Sequence, residues 1–168
     1  MNRRLTLALL AAVLGAGIYS GTVLATTTSG VKTTILAQSR FGDIDLKAHT
    51  NPADIWQSRI QTRGDSDLYV VDNQIAVGGT TGWHSHPGPS LITVVKGTVT
   101  NYEGDDPTCT PHVYPAGSGF VDAGGKDVHT LRNEGSEPAE TIAVQLLPAK
   151  AARRTDADAP GNCPFDHR

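Results

Sequence analysis

Residues 78–97 read GGTTGWHSHPGPSLITVVKG, and two patterns run through them. Ser90–Lys96 is dense in aliphatic and β-branched residues, as a short strand requires. Gly97 follows at a point where a tight turn wants φ > 0, and Gly97–Tyr102 continues as a second strand. Upstream, His84 and His86 are separated by one residue. On an extended chain they project to the same face about 7 Å apart, close enough for two imidazoles to converge on one ion. Trp83 alternates to the opposite face and reads as packing. The glycines of Gly78–Gly82 precede neither a Lys-Ser/Thr pair nor a helix, so they do not form a phosphate loop.

The pattern extends in both directions. Upstream, Val31–Ala37 and Phe41–Leu46 are candidate edge strands, Asp54–Ile60 reads as the start of the packed domain, and Asp67–Val71 and Asn73–Val77 are strand-like. Downstream, His112–Tyr114, Gly119–Asp122, Asp127–Arg132 and Thr141–Leu147 follow at short intervals, punctuated by Gly, Pro, Asn and Asp. Turn signals every 8–12 residues mark a β-sandwich or barrel. No amphipathic helix is readable between Asp54 and Pro148, which removes the βαβ folds and with them dinucleotide-binding and nucleophile-elbow enzymes. Composition agrees: the 168 residues include 18 Gly and 10 Pro, 18% are charged, and the net charge is −3. A nucleic-acid binder would carry a clustered basic excess.

The N-terminus has its own grammar. Met1–Arg4 is cationic, Leu5–Ile18 is almost wholly apolar, and Val23-Leu24-Ala25 offers a small-residue cleavage site, the layout of a secretory signal peptide. The apolar run is shorter than the roughly 20 residues of a spanning helix, although an uncleaved N-terminal membrane anchor is the alternative. The expected organisation is therefore a signal over 1–25, a lead-in over 26–53 with a flexible start, a β-barrel over 54–148, and a polar tail over 149–168. The protein is expected to be exported, with no membrane association after cleavage. Two cysteines remain, Cys109 and Cys163. In an exported chain an even count suggests a disulfide, here one that ties down the Pro/Gly-rich tail. Two free thiols, or one thiol serving as a metal ligand, are the alternatives.

Six histidines are present. His49 and His167 lie in loose segments, and His112 reads as a surface or strand-edge residue. The His84/His86 pair gains weight from its surroundings. Gly78-x5-His84-x-His86-x3-Ser90-x6-Gly97, followed by Pro115-x-Gly117 and His129-x3-Asn133, resembles the two motifs of the cupin superfamily, G-x5-H-x-H-x3,4-E-x6-G and G-x5-P-x-G-x2-H-x3-N. The resemblance spans roughly Asp67 to Pro148 and is that of a small single-domain cupin. It departs in three places. Ser90 stands where many cupins carry a glutamate ligand, eleven residues separate Gly117 from His129, and Cys109 replaces the opening glycine of the second motif.

The resemblance implies an all-β, single-domain jelly-roll barrel with His84, His86 and His129 as a three-histidine metal set inside it. Three neutral imidazoles would leave a divalent ion its full +2 charge, which favours an anionic or chelating ligand. All-imidazole coordination points to Fe, Zn, Ni or Cu rather than Mn or Mg. Ser90 and Gln145 are candidates for polar groups just behind the ligands. Asn133 and Gly97 read as turn residues. The facing of Glu103 and Asp122 is unassigned, so no general acid or base is named. Two functions follow. One is a metal-dependent enzyme of the non-haem dioxygenase kind found among three-histidine cupins, with a hydrolytic zinc version beside it. The other is a non-catalytic exported binding protein for a small-molecule ligand. A barrel with an empty site is the third reading, and pairing into a homodimer through sheet edges is an open option.

Overall fold

The computed structural model describes residues 26–49 and 56–167; the expected export signal at 1–25 lies outside them. The described residues form twelve strands and a short 3-10 helix. They are β1 (Ser29–Phe41), β2 (Asp45–His49), β3 (Gln57–Gln61), β4 (Ser66–Thr80), β5 (His84–Ser85), β6 (Ser90–Lys96), β7 (Thr98–Glu103), β8 (His112–Pro115), β9 (Gly119–Asp122), β10 (His129–Arg132), β11 (Ala139–Pro148) and β12 (Thr155–Asp156), with the 3-10 turn at Pro164–His167. None of the described residues forms a helix long and apolar enough to cross a membrane.

Every pairing is antiparallel, and the strands fall into two runs. One runs β1-β4-β11-β6-β9; the other runs β8-β7-β10-β5-β12. The pair Thr80–Arg132 joins them where β4 crosses to β10. The result is a nearly closed barrel whose two faces share one core: Ile75, Val94 and Ala139 from the first run meet Val99 and Leu131 from the second. The alternation that defines a half-buried strand is clean in β6, where Ser90, Ile92 and Val94 turn inward, and in β11, where Ala139, Thr141, Ala143, Gln145 and Leu147 do. Hiding each large aliphatic side chain contributes roughly 1.5–3 kcal/mol.

Gly97 holds the β6–β7 turn at φ +68°, and a Cβ there would sit 2.8 Å from the Pro138 carbonyl oxygen. The turn expected from the sequence is therefore enforced twice, by dihedral and by contact. Asn133, fully buried, serves the next connection. Its Nδ2 donates to the Ile75 and Glu137 carbonyls, and its Oδ1 accepts from Gly135 N.

Both ends of the described residues carry more structure than the sequence suggests. The candidate edge strand at Val31–Ala37 lies inside β1, which pairs with β4 from Ser29–Thr80 to Phe41–Ser66 and takes in part of the start expected to be flexible. β1 exposes most of its residues and so carries no readable alternation. β2 and β3 form a separate two-stranded sheet with Leu46 and Ile60 paired and exposed. Trp56, expected at the start of the packed domain, is 58% exposed. At the other end, the residues expected as a polar tail are built into the structure. β12 pairs with β5, Ala157 N donates to the Trp83 carbonyl, and Cys163 is disulfide-bonded to Cys109. Phe165 stacks on Trp83 and meets Tyr102 edge-on, while the Arg132 guanidinium lies 4.1 Å from the centre of its ring. A second apolar cluster of Trp83, Tyr102 and Cys163 thus closes the outer face of the second run.

Candidate metal centre

Register brings the polar side chains together. Across β11-β6-β9, Gln145, Ser90 and Asp122 stand on one line. Across β5-β10-β7, His84, His129 and Glu103 stand on another. The first line and the two histidines of the second are buried, Glu103 is half-buried, and His86 is buried just beyond β5. Beneath the first line the next inward residues are Ala143, Ile92 and Phe120, again in register. A polar tier thus lies above an apolar floor.

One ligand atom from each of His84, His86 and His129 lies within 4.8 Å of the other two. Ring centroids are 4.4 Å apart for His84 and His129, 4.9 Å for His84 and His86, and 5.5 Å for His86 and His129. His84 Nδ1 is 2.8 Å from the Gly82 carbonyl and His86 Nδ1 is 2.6 Å from the Arg153 carbonyl. A carbonyl only accepts, so both Nδ1 atoms carry the hydrogen and both Nε2 atoms keep a bare lone pair. His129 Nδ1 is buried with no hydrogen-bond partner. Burial, aided by His129, Arg154 and His86, pushes the His84 imidazolium down to about 2. Burial likewise depresses His86 and His129, against the opposing pull of Asp122. All three rings are neutral at neutral pH, the state in which imidazole binds a metal. Two bare nitrogens beside a third ring whose Nδ1 is buried without a partner fit a shared ion, because buried polar atoms otherwise find partners.

The surroundings are directional. Arg153 Nη1 donates to Gln145 Oε1, Gln145 Nε2 to Ser90 Oγ, and Ser90 Oγ to Asp122 Oδ2. Gly124 N donates to Asp122 Oδ1 at 2.7 Å. Asp122 is 5% exposed; its Oδ2 lies 4.0 Å from His86 Nε2 and its Oδ1 lies 3.9 Å from His129 Nδ1. Glu103 accepts a hydrogen bond from Asn101 Nδ2. Its carboxyl is pushed up to about 7 by burial and by Asp127 beside it. The site opens into a cavity of about 110 Å³. Two of the groups lining it, Asn101 Oδ1 and Thr141 Oγ1, are buried without partners.

Of the residues singled out from the sequence, His84, His86, His129, Ser90 and Gln145 all line this one cavity. His112 and His49 are exposed on β8 and β2, away from it. Trp83 faces the outer apolar cluster, and its Nε1 donates to Asp166. No local signal in the sequence places Asp122, Asn101 or the Arg153 carbonyl in the site. Asp122 shares an inward alternation with Phe120, but only the pairing of β9 with β6 shows which wall that alternation faces.

Residues 73–145 match the family model of the cupin domain. No curated protein matches the chain. Among solved structures, a cupin superfamily protein from Desulfitobacterium hafniense is 13% identical, covering 70% of this chain and 77% of its own, with a TM-score of 0.47. An uncharacterised Klebsiella pneumoniae protein with a double-stranded β-helix domain is 21% identical, covering 70% and 80%, with a TM-score of 0.46. A conserved protein of unknown function from Streptococcus pyogenes is 20% identical with a TM-score of 0.41; the match covers 48% of this chain and 65% of that one.

Proposed function

We propose, from the match of residues 73–145 to the cupin-domain model, that the protein is an exported metal-binding cupin whose His84, His86 and His129 hold one divalent transition ion. One observation carries this reading: two of the three buried imidazoles have Nδ1 tied to a backbone carbonyl, and the third has Nδ1 buried without a partner. The two carbonyl contacts are the means by which a protein fixes the tautomer and aim of metal-binding histidines, and the orphaned nitrogen of the third is a buried polar atom left for a ligand. The imidazole donors favour Fe, Zn, Ni or Cu. Export rests on the layout of residues 1–25 and on the Cys109–Cys163 disulfide, a bond that persists in oxidising compartments.

The cavity sets the size of the ligand. About 110 Å³ suits a compact molecule of a few heavy atoms, and the unpartnered Asn101 Oδ1 and Thr141 Oγ1 call for a hydrogen-bonding one. Arg153 and Arg154 in its wall favour an anion. A bound ion supplies Lewis acidity there, and iron or copper adds one-electron redox chemistry. The enzymatic form of this proposal is a non-haem oxygenase; the alternative is a non-catalytic binder of the same ligand class. The protein is loaded with Fe(II) and offered catechols, diketones and small thiols while oxygen uptake is followed. Uptake that requires both ion and substrate supports the oxygenase. Tight ligand binding without uptake assigns the protein to the binders.

A further inference from the structure

The carboxylate that the first cupin motif places at position 90 is absent from this chain, but a carboxylate is present on the same tier of the barrel. We propose that Asp122 is the anionic ligand of the metal centre, supplied from β9 instead of β6. This deepens the metal-binding reading and rests on it.

Four observations converge. Ser90 and Asp122 are direct cross-strand partners, so the exchange moves the carboxylate sideways by one strand and leaves it at the same depth. Its oxygens stand 4.0 Å from His86 Nε2 and 3.9 Å from His129 Nδ1. Those spacings are too long for hydrogen bonds, yet they lie within the roughly 4.2 Å that two ligand atoms can span across a common ion when each bond is about 2.1 Å. Each carboxylate oxygen accepts one hydrogen bond, from Ser90 Oγ or from Gly124 N. Each therefore keeps acceptor capacity free toward the histidines. Finally, Asp122 is 5% exposed, and among the described residues no lysine or arginine pairs with it. A buried carboxylate without a direct cationic partner is costly; Arg153 reaches Asp122 only through Gln145 and Ser90, and a metal ion would supply the direct counter-charge.

The local backbone is shaped for this position. Gly124 has φ +74°, and a Cβ there would collide with the Gly88 carbonyl oxygen. The turn after β9 is thereby pressed against the loop that joins His86 to Ser90. Ser90 changes from a vacant ligand position to a donor that aims the substitute carboxylate, and the chain from Arg153 through Gln145 ends on it. The ion with its four protein ligands then carries a net +1. Harder ions such as Mn and Fe become better guests than an all-imidazole site would allow.

The test is a crystal structure of the wild-type chain loaded with Zn(II) or Mn(II), together with competition titrations of wild type, Asp122→Asn and His129→Ala. We expect an Asp122 oxygen about 2.0–2.2 Å from zinc. We also expect Asp122→Asn to lose more than about tenfold in affinity, with manganese weakened more than zinc. An ion held by the three histidines with Asp122 beyond 3.5 Å overturns the proposal and leaves the metal-binding reading intact. Equal affinity for wild type and Asp122→Asn, with binding lost in His129→Ala, does the same. A wild-type chain that takes up neither ion removes both. The wild-type structure decides the matter even if a variant fails to fold.

Discussion

His129 Nδ1 is a buried nitrogen with no hydrogen-bond partner; it lies 3.9 Å from the Asp122 carboxylate, and its ring centre lies 4.4 Å from that of His84 and 5.5 Å from that of His86. If one ion is shared, the three histidines act as a unit. Replacing His84, His86 or His129 by alanine is expected to lower metal affinity by a similar large factor, about 100-fold or more. His112→Ala, on exposed β8, is expected to leave affinity unchanged. Isothermal titration with zinc checks both; a loss confined to His112→Ala contradicts the assignment. In the shared core, Ile75→Ala is expected to cost about 2–5 kcal/mol, read from urea unfolding, since Ile75 is 1% exposed and bridges the two strand runs.

Among the elements, the C-terminal segment holds the site from outside residues 73–145, the stretch that matches the family model. Arg153 offers the carbonyl that fixes the His86 tautomer, and β12 extends β5. The Cys109–Cys163 bond anchors the residues beyond β12. Reduction, or paired replacement of both cysteines by serine, is expected to remove about 4 kcal/mol on the chain-entropy account. It should lower the thermal midpoint and redden Trp83 emission as the Phe165 stack loosens. An unchanged midpoint after reduction contradicts a structural role for the bond. This segment was not legible as structure because its residues are polar and Pro/Gly-rich, and its order comes from contacts far away in sequence. The cysteine pair was the one legible sign. β6 is the opposite case: Ser90, Ile92 and Val94 alternate with Leu91, Thr93 and Val95, so both strand and facing are readable locally. His84-Ser85-His86 was readable for the same reason, two residues of one face stated in three letters. Asp122 and Asn101 were not, because membership of the site depends on which strands pair.

For the whole molecule, the three neutral histidines predict how stability follows pH. In the ion-free chain each is depressed by burial, so below about 6.5 the unfolded chain takes up protons that the folded one does not. Stability therefore falls as pH drops through that value. Glu103 acts in the opposite sense. Its carboxyl sits at about 7 against an ordinary 4.5, so its contribution is present in acid and fades as pH rises through 7. With three groups against one, the ion-free protein is expected to melt lower at pH 5 than at pH 7. A midpoint that rises on acidification contradicts the burial of the triad.

One metal ion per chain, held on His84, His86 and His129, is the proposal on which the rest depends. The direct measurement is elemental analysis of the protein, purified without a polyhistidine tag and exposed in turn to Fe(II), Zn(II), Ni(II) and Cu(II). About one equivalent of at least one of these ions is expected in the wild type and close to none in His129→Ala. A wild-type chain that remains metal-free after all four contradicts it.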